Sequence, residues 1–189
     1  MDAVSQYALA YALTTSAGIR ALLPLAAVSI AAHNGWIHPS GDFGWLGHAL
    51  VMWILIGVAL LEMLADKIPF VDHAMHFVQI ASKPAAAAIL VGGTMHAQNH
   101  EQLIFLMVIG ALNALGIHSA VVGARAASTA GTAGLANPVL STLEDTGSIG
   151  GIILAFFAPV IAAILALVFT VLLIVLGRHV YRRIRPRSV

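Results

Sequence analysis

Four stretches of this chain, residues 3–32, 45–64, 103–127 and 152–176, each hold at most one Asp, Glu, Lys or Arg. About 20 consecutive apolar residues let an α-helix cross the roughly 30 Å hydrocarbon layer of a bilayer. The runs do not alternate as barrel strands do, and helices satisfy their own backbone where water is absent. Composition agrees, with 60% hydrophobic and only 9% charged residues and a mean hydropathy of +0.94. Soluble domains carry roughly 25% charged residues, so lipid is the solvent this surface fits. The expectation is an all-α, polytopic transmembrane helical bundle of about four full spans. One or two short re-entrant or interfacial helices complete it, all within a single integral membrane domain over 1–189.

The first run, at 30 residues, would be roughly 45 Å long as one helix, so it must tilt, project or break; Gly18, Arg20 and Pro24 place a break between 18 and 24. With Asp2 ahead of it and no basic leader region, it reads as a retained helix. Asp72, His76, Gln79 and Lys83 share one helical face, which predicts an amphipathic helix over 70–83 lying at the interface. Pro84 then opens a segment to Ala97 too short to span, as a half-helix or re-entrant piece would be. A second such piece is expected within 128–151, where Asn137-Pro138 and Ser141-x-x-Glu144 read as a cap and a capping box.

Five of the nine basic residues come after Leu176, at Arg178, Arg182, Arg183, Arg185 and Arg187. A basic tail (177–189) after an apolar run marks the cytoplasmic side and attracts anionic headgroups. It lacks the interleaved aromatics of a nucleic-acid surface, so nucleic acid is not an expected partner. With no cysteine there is neither a disulfide nor a thiolate nucleophile. No phosphate loop, dinucleotide fingerprint or nucleophile motif occurs either, and no cofactor is expected.

Charges inside the runs are expensive, an arginine near mid-span costing roughly 2.5–3.5 kcal/mol on insertion scales. Arg20 therefore needs a carboxylate or a wet cavity, and Glu62 and Asp66, four apart on one face, are its expected partners. Either the group is a packing ion pair or it lines a substrate or proton site. Arg125 lies late in its run, with His118 seven residues earlier on the same face, while Glu144 and Asp145 fit helix-end roles. The pairs His73/His76 and His96/His100 have ligand-like spacing. Most histidines nevertheless sit at predicted boundaries where polar rings are at home, so no metal is assigned.

The chain also carries an internal echo, Gly18-Ile-Arg20-Ala21 against Gly123-Ala-Arg125-Ala126, as an inverted repeat would or chance could produce. Taken together, Gly18-x-Arg20, Glu62-x-x-x-Asp66-Lys67-x-Pro69-x-x-Asp72, Lys83-Pro84, His118 with Arg125, and Asn137-Pro138-x-x-Ser141-x-x-Glu144-Asp145 resemble one family. It is the bacterial membrane-protein family catalogued as domain of unknown function 4126. In that pattern an arginine often precedes the proline at the Lys83 position, and a lysine often lies between the histidine and arginine of the third long span; here Ser119 to Ala124 holds no basic residue. The resemblance implies a site drawn from Arg20, Glu62, Asp66, Lys67, Asp72, Lys83, His118, Arg125, Glu144 and Asp145, in a bacterial inner membrane, and brings no activity with it.

Costly intramembrane charge points to a small transporter or permease, proton-coupled or not, for an anionic or zwitterionic solute or a lipid headgroup. A structural or assembly subunit would use the same charges to dock a partner. An intramembrane lipid-acting enzyme would need Glu62 or Asp66 beside His118. Association with copies of the chain stays open.

Overall fold

The structure, a computed structural model, describes residues 1–39, 41–65 and 69–184, with side chains outside 69–77, 176–177 and 179–184. It is 87% helical, and no strand occurs among the described residues. In chain order the helices are α1 (Ala3–Ile19), α2 (Leu22–His33), a 3-10 segment (Gly41–Gly47), α3 (Ala49–Ala65), α4 (Pro69–Thr94), α5 (His100–Thr132), α6 (Asn137–Phe157) and α7 (Pro159–Ile184).

The break in the first run falls where Pro24 dictates. A proline ring clashes with the carbonyl four residues back, here that of Arg20, which is extended at φ −130°, ψ 111° between α1 and α2. Inside the first turn of α2 the missing Pro24 N–H costs nothing. α1 is the central helix, packed against α4, α5, α6 and α7. Its Leu9, Leu13 and Ala17 form the core with Leu25, Val28, Leu90, Ala114 and Ile152. Where α1 meets α5, a Cβ on Gly18 would lie 2.5 Å from Ile117 Cβ and 2.7 Å from the Ala114 carbonyl oxygen, so only glycine allows this crossing. α3 is peripheral. It packs chiefly on α2, and its buried residues are Met52, Ala59 and Glu62.

Several expectations are corrected. By length and composition two described helices, α5 and α6, suffice to cross a membrane, or three if the 3-10 segment and α3, bent by 71°, count as one. That is fewer than four among the described residues, and the Arg20 break leaves helices of 17 and 12 residues in place of one long run. α4 is one 26-residue helix with Pro84 inside it, so no new helix starts there. Losing the bond to the Ile80 carbonyl costs about 3 kcal/mol; buried Lys83, Ala86, Ala87 and Leu90 on either side hold the helix in place. In the part of the 70–83 segment with described side chains, Gln79 and Lys83 are buried and Val78 and Ile80 exposed, the reverse of an interfacial helix. The short piece expected within 128–151 is instead the front of a 21-residue α6. α6 stops at Ala158, φ −145°, ψ 67°, because the residue before Pro159 is driven out of the α region. α7 runs to Ile184 and so includes Arg178.

Candidate functional site

Polar groups gather where α1 is interrupted. Arg20 is 1% exposed, and its guanidinium reaches Asp145 Oδ1 at 2.7 Å, Ser141 Oγ at 3.0 Å, the Ser141 carbonyl at 3.4 Å and Glu144 Oε2 at 3.8 Å. Glu144 is shared: Arg125 donates to it through Nε at 3.1 Å and again through a second nitrogen. α5 and α6 are thereby tied to the end of α1.

Glu62 does something different. Its two oxygens accept the Ala21 and Leu22 amides, each at 2.9 Å, so this buried carboxylate caps the N-terminus of α2. The first amides of a helix lack intrahelical acceptors and carry partial positive charge, so a carboxylate there is in its favoured position.

The third feature joins α4 to α5. Lys83 Nζ lies 3.0 Å from His118 Nδ1, both residues being buried. Across that contact one nitrogen donates and the other accepts, so the two cannot both present a proton to it. Because Gly18 touches α5 at Ala114 and Ile117, His118 stands at the height of the α1–α2 break. Arg20, Lys83 and Arg125 thus lie in the same part of the molecule as the carboxylates of Glu62, Glu144 and Asp145.

The sequence places the right residues together and assigns some of the wrong partners. Glu62 meets backbone amides and not the guanidinium; among the described residues the carboxylates at Arg20 come from α6. Ser141 and Glu144 form no capping box, since both lie inside α6 and bind the two arginines. His118 contacts Lys83 while Arg125 contacts Glu144, so their shared face does not make a joint site. Of the two carboxylates a lipid-acting enzyme could set beside His118, Glu62 does not pair with it, and Asp66 lies outside the described residues. Asp66 and Lys67 lie outside the described residues, as do the side chains of Asp72, His73 and His76. His96 and His100 are exposed, and among the described residues no three His, Cys, Asp or Glu gather as a metal site.

Two serines join the site without having been expected there. Ser141, Asp145 and Ser148 recur at i, i+4 and i+7 on α6 and are all buried, so one polar stripe faces the core. That spacing is the signal in the sequence that could have found them. Ser148 is 0% exposed, and its hydroxyl has no hydrogen-bond partner among the described residues. Beyond the stripe lies an apolar cleft of about 190 Å³ between α2, α3 and α6, lined by Leu23, Ala26, Ala27, Ile56, Ala59 and Ile152 among others. A wider groove of about 360 Å³ runs between α1, α6 and α7 along Thr15, Ser16, Gly147, Gly151 and Phe169.

No curated protein and no solved structure matches this chain. The family model described as domain of unknown function (DUF4126) matches residues 7–179, a range that contains every member of the polar layer from Arg20 to Asp145, and the chain belongs to that family.

Proposed function

We propose that the chain is a small membrane carrier that passes an anionic or zwitterionic solute, or a lipid headgroup, through the polar layer. The observation that carries this reading is the interruption of the central helix. A buried arginine sits at the break, and the second half-helix offers its first amides to a buried carboxylate. Half-helices meeting at mid-membrane are a recurrent carrier plan. Buried ionisable groups in apolar helices are costly and concentrate along solute and proton paths. In this reading the arginine-rich end of the chain faces the cytoplasm. The Lys83–His118 contact, in which the two nitrogens share a proton, supports proton coupling. The test is uptake by vesicles containing the purified protein, with labelled small carboxylates and amino acids, with and without a pH gradient. Uptake should be saturable and lost in Arg20→Gln. If the wild type takes up none of these solutes, the carrier reading is wrong; if uptake persists unchanged in Arg20→Gln and Glu62→Gln, the polar layer is not the path.

One observation favours a second reading. Arg20 and Arg125 are both ion-paired to α6 carboxylates, as in a packing network of a structural or assembly subunit. A stoichiometric membrane partner that co-purifies with the wild type and is lost in Glu144→Gln would establish that role.

A further inference from the structure

Hydroxyls on these helices have a common use. Thr94, Ser119, Thr129, Thr142, Thr146 and Thr170 each donate to the carbonyl four residues back, the local bond that satisfies a hydroxyl in apolar surroundings. Ser16 departs from it. The residue is only 6% exposed, yet its hydroxyl neither bonds back nor meets another partner among the described residues. It points across at α6, 3.4 Å from where a Cβ on Gly151 would lie. The space it enters is the groove of about 360 Å³ between α1, α6 and α7. Thr15 also lines that groove but is committed, donating to the Tyr11 carbonyl and accepting from Asn113. Leaving the Ser16 hydroxyl unpaired in an apolar wall is a cost that an acceptor in the groove would remove.

The rest of the lining decides what carries that acceptor. Ile19, Leu154, Leu165 and Phe169 are apolar, Gly147 and Gly150 leave room, and no Asp, Glu, Lys or Arg lines the groove. A carboxylate, phosphate or ammonium would be stranded there, so the group that meets Ser16 is neutral. Mostly apolar walls, one placed polar group and this volume are those of small-molecule sites, which run from roughly 300 to 1,000 Å³. Gly147-x-x-x-Gly151 has the spacing by which membrane helices pack closely. Even so, a helix about 10 Å across takes roughly 420 Å³ per turn, so the groove does not seat one turn of a second copy. A hydrocarbon chain is thinner. Leu165 and Phe169 are exposed, beside exposed Ile161 and Ile164, so the groove opens on the apolar flank of α7.

We propose that this groove binds one acyl chain of a bilayer glycerolipid, with the Ser16 hydroxyl donating to the ester carbonyl. The glycines of α6 give the chain its room, Leu154, Leu165 and Phe169 its walls, and the charged headgroup stays outside. This site is separate from the Arg20 layer and does not depend on the carrier reading.

The experiment reconstitutes the full chain in bilayers of equal parts dioleoyl phosphatidylcholine and its ether-linked counterpart, which keeps the chains and headgroup but lacks the carbonyls. Lipid retained after mild delipidation is counted by native mass spectrometry. Wild type should hold a single lipid per chain, the ester form about two- to tenfold over the ether, the range that one net hydrogen bond gives. Gly150→Leu fills the groove from a position where a Cβ meets nothing within 4 Å, and should lose that lipid while folding normally. Gly147→Leu, equally open, is a second filler with the same expected loss. Ser16→Ala should keep the lipid and lose the preference for the ester. No lipid on wild type, no ester preference, a preference that survives Ser16→Ala, or retention unchanged in both fillers overturns the site. A wild-type dimer that disappears in Gly150→Leu also overturns it, because a second copy then covers the groove.

Discussion

The same four-residue pattern occurs twice in this chain and folds in two ways. Gly18-Ile-Arg20-Ala21 ends a helix, whereas Gly123-Ala-Arg125-Ala126 lies in the unbroken interior of α5. The difference comes from the residues downstream of each copy and from the helices packed alongside. Pro24, four residues after Arg20, forbids the helix from running through Arg20, while Thr129, four after Arg125, donates its hydroxyl to the Arg125 carbonyl. Gly18 is pressed against Ile117 and Ala114, whereas Gly123 has nothing within 4 Å of where a Cβ would go. Arg20 is 1% exposed and the Arg125 side chain 19%. A shared motif therefore gives one arginine sealed at a helix break and one at the rim, both converging on Glu144. If the echo descends from a repeat, the broken helix was not kept in the second copy.

The largest test of that contrast is removal of each arginine. Arg20→Gln takes the cation from a buried pair and should cost about 3–5 kcal/mol. Arg125→Gln acts at a partly exposed pair whose carboxylate still has Arg20 at 3.8 Å, so its cost should stay near 1 kcal/mol. Denaturant unfolding in mixed micelles, tracked by circular dichroism, measures both. Equal losses would mean that burial does not separate the two sites.

A smaller effect, of opposite sign at the two positions, is expected from the glycines. Gly18→Ala forces a methyl into the α1–α5 crossing and should destabilise by about 1–3 kcal/mol. Gly123→Ala adds a methyl in open space on a helix and should stabilise by up to about 1 kcal/mol. Melting temperatures of the two variants should move in opposite directions from wild type. A shared direction would deny that Gly18 marks the tight crossing.

The helical class, the break between Gly18 and Pro24 and the long α5 are local or compositional matters, and residue order settles them. The partner of Arg20 is not local. Glu62 lies on α3, beyond the break, and is a natural choice along the chain, but a helix face does not say which neighbour it will meet. α6, from the far end of the sequence, packs on α1 and supplies Asp145 and Ser141. The inward polar face of α4 is illegible for a similar reason. A polar stripe looks solvated until the His118 that receives Lys83 is in place. Pro84 looks like a helix start because its cost is local, whereas the core packing that offsets it is tertiary.

The smallest effect concerns how α1 and α5 begin. Asp2 accepts the Ser5 amide at 3.2 Å at the start of α1, and Asn99 accepts the Gln102 amide at 2.8 Å at the start of α5. Each cap accepts the amide three residues on, but only one of them titrates. The hydrogen bonds from Ser5, side chain first and then backbone, hold the Asp2 carboxyl below its ordinary value. A carboxyl lowered on folding stabilises the folded state above its unfolded pKa of roughly 3.9, and that contribution fades as pH falls through the folded value. The α1 cap should therefore weaken in acid while the α5 cap does not. Melting curves between pH 6 and roughly pH 2.5 for wild type, Asp2→Asn and Asn99→Asp isolate the effect from the other carboxylates. Asp2→Asn should lose slightly less stability than wild type on acidification, and Asn99→Asp slightly more. Three parallel curves would mean that neither cap couples to folding, leaving the contrast between α1 and α5 to rest on their interiors alone.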